Sequence, residues 1–250
     1  MQLLNKDFFA RLKTAVDFYI IRHGQSEGNA GKILQGREEY PLSEKGKLQA
    51  VTRGRLLKNL VTEAAASAAA SAEANAVPEK LLFFSSPQSR ARETALIITE
   101  ESGLPAPVFI DELIEMSLGI WSGKNWDQVK NDDPSLWAAF MAHSWDVIPE
   151  AETSDVLYKR ALQTWAFLRD AAIERTAEKV FVVTHGGLIQ WLLKSTMQCR
   201  SWFPLFPISN CGLFKLSVEP RPAEKSAYMC WEEINSTITE LPEQPRGFPS

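Results

Sequence analysis

The amino-acid sequence predicts one α/β domain over residues 1–250, a three-layer sandwich with a mostly parallel sheet flanked by helices. Three observations predict this class. Short apolar runs alternate with longer segments of helical character. Two of these runs, at 18–21 and 179–184, end at histidine and then glycine. The length of 250 residues is enough for one domain with a substantial core.

The first of these runs, Phe18–Ile21, stops at Arg22-His23-Gly24, as expected for a buried strand followed by a tight loop. In α/β sheets ligands bind at the carboxyl ends of strands, and helix N-termini there favour anions. An arginine and a histidine therefore arrive together where a phosphate would bind. The run 179–184 repeats the arrangement with His185-Gly186-Gly187, although the chain has only three histidines.

The elements between these runs follow from apolar spacing and turn residues. Near-helical spacing of Leu3, Leu4, Phe8 and Leu12 predicts a short helix packed on the body. Further along, the predicted features are a helix from Ser43 past Leu60 and an Ala-rich insertion at 61–78. A strand with its exit at 80–87, a helix that opens at Gln88 and a short strand at 107–111 follow.

The second half continues the same alternation. The aromatic segment 124–150 is expected to be core or to cover the mouth of a pocket and shape specificity. A long amphipathic helix follows Ser154, and a helix at 188–197 follows the second histidine. Strands are predicted at 213–218 and 228–234, with a loose tail containing Pro242, Pro245 and Pro249.

Composition excludes several classes of function. A formal net charge of −4 argues against a nucleic-acid partner. Three cysteines without metal-ligand spacing fit a reduced compartment and predict no metal site. No apolar run is long enough to span a membrane, and the N-terminus lacks a secretion signal, so we expect a cytoplasmic protein without a membrane partner. The oligomeric state stays open.

Five stretches carry a family resemblance. Besides the two histidine loops, these are Pro41–Gly46, the pattern Ser-Ser-x-x-x-Arg-Ala-x-x-Thr-Ala at 85–95, and Leu-x-Glu-x-x-x-Gly-x-Trp-x-Gly at 113–123. Together they resemble the histidine phosphatase superfamily (phosphoglycerate mutase-like, branch 1). The resemblance covers about residues 17–218, taken as the core of the domain, and implies the phosphoglycerate mutase-like fold.

The resemblance also implies roles for individual residues. His23 would be the nucleophile that becomes phosphorylated, and Glu115 rather than Glu112 would be the proton donor to the leaving oxygen. Arg22, Arg90 and a cationic His185 would bind the phosphoryl oxygens. The register selects Arg90 over Arg92, and a cation in a first helical turn is favourable only beside an anion. Further expected contacts come from Asn29, from backbone donors near Gly24, from Gln35 and Gly36, and with less support from Arg37.

The implied reaction is metal-independent hydrolysis of a small phosphomonoester, such as a sugar phosphate or phosphoglycerate, without a cofactor. Two features favour a phosphatase over a glycolytic mutase: Arg37 follows the loop glycine where mutases have an aromatic residue, and Gly119–Gly123 resembles phosphatase members. Two alternatives remain. One is a 2,3-bisphosphoglycerate-dependent phosphoglycerate mutase, and the other is a non-catalytic protein that binds a phosphorylated ligand.

Overall fold

A six-stranded sheet runs through the centre of the protein in a computed structural model that describes residues 4–5, 7–70 and 81–238. The strands are β1 (Val16–Arg22), β2 (Leu81–Ser85), β3 (Val108–Phe109), β4 (Lys179–Thr184), β5 (Leu213–Arg221) and β6 (Ser226–Ser236). Their order is β3-β2-β4-β1-β5-β6. The first four strands in this order are parallel, whereas β5 and β6 are antiparallel to their neighbours.

Helices cover both faces of the sheet, which confirms the predicted three-layer α/β class. They are α1 (Glu27–Ala30), α2 (Glu44–Ala70), α3 (Ser89–Ser102), α4 (Trp126–Asp132), α5 (Pro134–Ala142), α6 (Ser154–Arg175) and α7 (Gly186–Thr196). Short 3₁₀ turns occur at Asp111–Leu113, Gly119–Trp121, Trp145–Val147 and Pro222–Glu224.

The alternation of side chains along β1 explains why a core cluster lies on each face of the sheet. Phe18 and Ile20 of β1 pack into one core cluster together with side chains of α6 and α7. Tyr19 and Ile21 pack into the other cluster with side chains of α2 and α3. Because successive strand residues point to opposite faces, a continuously apolar strand requires cover on both sides.

The prediction of an N-terminal helix is wrong, but the prediction that this segment packs on the body is confirmed. Residues 7–11 form successive turns, in which amides such as that of Phe8 donate to the carbonyl three residues earlier. Leu4, Phe8, Phe9 and Leu12 are nevertheless buried. So short a segment has little intrinsic helical stability, and its burial against the body decides its shape.

The Ala-rich stretch and the tail meet the limits of the described chain. The helix from Ser43 does run past Leu60 and includes the first part of the Ala-rich insertion, as far as Ala70. The rest of that insertion (71–78) and the tail with Pro242, Pro245 and Pro249 lie outside the described residues.

Aromatic residues of the segment 124–150, which follows β3 in the chain, form a small cluster around Trp121. The ring of Trp121 lies 5.2 Å from that of Phe140, 5.6 Å from that of Trp145 and 6.2 Å from that of Trp126, measured between centroids. These rings meet edge to face, a favourable geometry for aromatic pairs. Within the described ranges, no helix has the length and apolar character needed to cross a membrane.

Candidate active site

The two histidines that follow strands meet at one end of the sheet. β1 and β4 are adjacent and parallel, with Arg22 paired to Thr184, so His23 and His185 leave the sheet side by side. Their ring centroids are 5.2 Å apart, and both residues are buried. The structure therefore brings together the two imidazoles that the sequence separates by most of the domain.

His23 is held in one orientation with one nitrogen available. Its Nδ1 lies 2.6 Å from the carbonyl oxygen of Gly24. Because a carbonyl only accepts, Nδ1 carries the proton, and Nε2 keeps its lone pair. Burial, followed by the charges of Arg22 and Arg90, lowers the pKa of His23 well below its ordinary value. A neutral imidazole with a free Nε2 is the form that can act as a nucleophile.

The loop after His23 provides fewer backbone donors than the sequence suggested. The amide of Gly24 donates to Thr94 Oγ1 at 3.0 Å, so that donor is occupied. A Cβ at position 24 would lie 2.5 Å from the carbonyl oxygen of Gly46. Glycine is needed here because the loop passes directly over the backbone of α2.

Two guanidinium groups border the histidines. Arg90, in the first turn of α3, donates to the carbonyls of Glu38 at 2.8 Å and Gly36 at 2.7 Å. Arg22 donates to the carbonyl of Ile208 at 2.7 Å. Each arginine is fixed through its terminal nitrogens, and among the described residues neither Nε has a partner. These groups can neutralise a phosphoryl dianion.

The alternative arginine and the alternative acid lie elsewhere. Arg92 is exposed and stacks over the ring of Phe109 at 4.8 Å. Glu112 is exposed in a 3₁₀ turn. Arg37, the less favoured substrate contact, lies exposed behind the site, where it donates to the carbonyl of Glu115 at 3.3 Å. Arg90 and Glu115 are thus the members of each pair that line the cavity.

The Glu115 carboxylate lies at the N-terminus of α7. Its oxygens accept from the amides of Gly187 at 3.1 Å, Leu188 at 3.2 Å and Met116 at 2.8 Å. A helix N-terminus is a favourable position for an anion. A Cβ at position 187 would lie 2.4 Å from Glu115 Oε1, so the carboxylate reaches these amides only because residue 187 is glycine.

The backbone around Glu115 is held by residues that sequence reasoning missed. The buried amide group of Gln88 accepts from the Glu115 N–H at 2.7 Å and reaches the carbonyl of Gly36 at 3.4 Å. Arg160 donates to the carbonyl just before Glu115. The carboxylate of Glu152 accepts from the amide of Ser117, two residues after Glu115, and forms an ion pair with Arg160 at 2.7 Å. No sequence signal marks Gln88, because its role depends on a loop that follows 27 residues later.

His185 has one bonded and one unbonded nitrogen. Its Nε2 lies 2.8 Å from Ser86 Oγ, and its Nδ1 has no partner within the described part of the chain. Burial, then the charges of Arg90, His23 and Arg22, lowers the pKa of His185 well below its ordinary value. These causes oppose the cationic form that the sequence resemblance implied.

The expected minor contacts border the same cavity. Asn29 Oδ1 accepts from Asn210 Nδ2 at 3.1 Å, and Gln35 Oε1 accepts from Ser26 Oγ at 2.7 Å. Gly36 has a left-handed backbone, with φ of 52°, and supplies its carbonyl to an arginine. Asn29, Gln35 and Gly36 all line the cavity, and their contact with a substrate stays a prediction.

The cavity has a volume of about 720 Å³ and a charged floor beneath an apolar wall. Across residues 4–5, 7–70 and 81–238, no group of three or more His, Cys, Asp or Glu side chains is arranged to hold a metal ion. The arrangement as it stands places a neutral imidazole, two guanidinium groups and a carboxylate around one space.

Comparison with known proteins identifies the family and the fold. The model of the histidine phosphatase superfamily (branch 1) matches residues 18–228. A metal-independent phosphoserine phosphatase of Arabidopsis thaliana is 29% identical over 187 residues, 74% of this chain and 70% of the relative. A mycobacterial glucosyl-3-phosphoglycerate phosphatase superposes with a TM-score of 0.68 at 24% identity, covering 89% of this chain and 100% of the other. A phosphoglycerate mutase of Bacillus anthracis superposes with a TM-score of 0.65 at 23% identity, covering 90% of this chain and 95% of the other. These superpositions confirm the fold.

Proposed function

Because the chain belongs to the histidine phosphatase superfamily (branch 1), we propose that it hydrolyses small phosphomonoesters through a phosphohistidine on His23, without a metal ion. The family and the relatives named as phosphatases make it a histidine phosphatase. The substrate class, the covalent route and the role of each residue are the proposal. One observation supports it above the others: the Nδ1 of His23 is bonded to the Gly24 carbonyl, which leaves Nε2 as the ring nitrogen for attack in a cavity that Arg22 and Arg90 also line.

In the first step the phosphoryl group moves from the ester to the enzyme. The lone pair of His23 Nε2 forms a bond to phosphorus as the bond from phosphorus to the ester oxygen breaks. The carboxyl of Glu115 gives its proton to that oxygen, which leaves as an alcohol. Arg22 and Arg90 offset charge on the non-bridging oxygens throughout the transfer.

In the second step water removes the phosphoryl group. The carboxylate of Glu115 takes a proton from water as the water oxygen bonds to phosphorus. The bond to Nε2 then breaks, and its electron pair returns to His23. Proton transfer of this kind contributes on the order of 10²–10⁴-fold. A phosphoryl dianion beside His185 would favour its cation and oppose the lowering of its pKa by burial and the two arginines.

The test is a panel of phosphomonoesters assayed with the wild-type enzyme and with His23→Ala. We expect phosphate release and an acid-labile phosphoenzyme from the wild type, and neither from His23→Ala. Labelling that persists in His23→Ala would remove His23 from its role. Conversion of 3- to 2-phosphoglycerate, with and without the bisphosphoglycerate primer, is assayed in parallel. A mutase rate above the hydrolysis rate would contradict the proposal, as would tight phosphate binding without turnover.

A further inference from the structure

The cavity above the phosphate-binding groups has an apolar wall with two parts. One part belongs to the aromatic segment that contains α4 and α5, and the other to the loop that follows α7. The side chains that form this wall are Trp126, Phe140, Trp145, Trp202, Leu205 and Phe206. Trp126 is 44% exposed and Leu205 48% exposed, so a ligand has apolar surface to cover here.

The two parts of the wall are joined and held in place. The indole rings of Trp145 and Trp202 stack at 4.9 Å with an angle of 20° between their planes. The side-chain amide of Gln190 binds both the N–H and the carbonyl of Phe206, the N–H at 3.0 Å. Lys194 donates to two successive carbonyls at the start of the same loop. A wall fixed in this way presents preformed apolar surface at little entropic cost.

The positive charge in the cavity is concentrated at its floor. Arg22 and Arg90 lie beside the histidines, where the phosphoryl group binds. Of the described residues that line the cavity, Lys32 provides the remaining side-chain cation, and it is exposed at the surface. The wall itself offers no cation to a carboxylate on the leaving group, and of the described lining residues outside the floor only Lys32 could pair with one.

We propose that the leaving group is a bulky apolar or aromatic alcohol rather than a short carboxylated one such as serine or glycerate. This inference rests on the proposed phosphatase function and names its substrate class. A cavity of about 720 Å³ lies in the range that encloses a drug-sized ligand. A three-carbon phosphate would leave most of the wall in contact with water, whereas an aromatic group would cover it.

Four alkyl phosphates test the proposal: ethyl phosphate, 2-phenylethyl phosphate, 3-phosphoglycerate and O-phosphoserine. All have alkoxide leaving groups, so differences in kcat/KM report binding of the leaving group more than its reactivity. One methylene in an apolar pocket is worth about tenfold or more, so kcat/KM for 2-phenylethyl phosphate should exceed that for ethyl phosphate at least about 100-fold. It should exceed the values for both carboxylated esters by a larger factor.

Two wall variants assign the preference to the wall. Trp126→Ala and Leu205→Ala remove exposed side chains of the apolar wall. Each should reduce the advantage of 2-phenylethyl phosphate about tenfold. Activity on ethyl phosphate should stay within about threefold of wild type, which also reports that each variant is folded.

The outcomes separate this proposal from the function on which it rests. Turnover that depends on His23 but favours a carboxylated ester, or favours none, overturns the apolar leaving group and keeps the phosphatase. Equal losses on every ester in both wall variants would also overturn it. No turnover of any ester that depends on His23 contradicts the phosphatase function itself.

Discussion

Replacing Gly187 with alanine should displace the proposed proton donor while the phosphate-binding groups stay in place. The new Cβ would lie 2.4 Å from Glu115 Oε1 and 2.6 Å from the side chain of Met116. Ordinary contact begins near 3.4 Å, so the carboxylate must move by about 1 Å. A misplacement of this size costs about 100-fold in rate, or about 2.7 kcal/mol of transition-state stabilisation.

The leaving group of the substrate provides the assay. An alkoxide needs protonation as it leaves, whereas p-nitrophenolate is stable without it. For Gly187→Ala we therefore expect kcat/KM to fall about 100-fold with 2-phenylethyl phosphate and much less with p-nitrophenyl phosphate. The inhibition constant of vanadate, which reports the phosphate-binding groups, should stay within about threefold of wild type.

Two further variants isolate the cause. In Gly186→Ala the new Cβ would lie 3.5 Å from Arg22 Nε, an ordinary contact, so this variant compares alanine in the same helical turn placed beside Arg22 rather than beside Glu115. In a Glu115→Gln background, Gly187→Ala should add little, because the proton donor is already lost. Equal losses with both esters, or additive losses in the double variant, would refute the reasoning.

Three other predictions follow from buried groups. Gln88→Leu leaves the Glu115 N–H without an acceptor, which should cost about 1–3 kcal/mol of folding free energy. It should also lower kcat/KM more for alkyl than for p-nitrophenyl esters. Equal losses of kcat/KM with both kinds of ester would show that Gln88 has only a structural role. Arg90→Lys loses the bonds to Gly36 and Glu38, so the vanadate inhibition constant should rise about 10–100-fold, and an unchanged constant would contradict the assignment. Burial lowers the pKa of both His23 and His185, so the unfolded chain takes up protons first as the pH falls. Stability should be full above about pH 6.5 and decline below it by up to about 1.4 kcal/mol per pH unit for each histidine. Thermal unfolding from pH 7.5 to 5 should therefore show a shallower decline for His185→Gln than for wild type, and parallel curves would contradict this.

The elements that sequence reasoning predicted best have strong local signals. β1 and β4 have apolar centres, at 18–21 and 180–183, that are buried, and each strand is followed by a histidine and a glycine. That pattern and the family resemblance placed the two histidines in one site, and the structure pairs the two strands in parallel, residue by residue. The register of the family pattern selected Arg90 over Arg92, and the structure places Arg90 in the first turn of α3 at the cavity.

Features that depend on distant contacts were not predictable in the same way. Gln88 has no pattern that links it to Glu115, since their bond depends on the pairing of β2 with β3, the strand that lies between them in the sequence. The N-terminal segment has helical spacing, but Phe8 and Phe9 are adjacent and both buried, so packing on the body rather than periodicity decides its conformation. The joining of Trp145 to Trp202 across two separate segments likewise has no local signal.

The amides at the N-terminus of α7 already donate to a carboxylate, so other groups must offset the charge of a bound phosphate. The sequence suggested that helix amides after a strand would bind the phosphate, yet the amides of Gly187 and Leu188 bind the Glu115 carboxylate instead. The amide of Gly24 is also occupied, by Thr94. In the proposed mechanism the charge on the phosphoryl oxygens therefore depends mainly on Arg22 and Arg90. Gly187 then serves to leave room for the Glu115 side chain at the proposed site, because a Cβ at 187 would lie 2.4 Å from Glu115 Oε1.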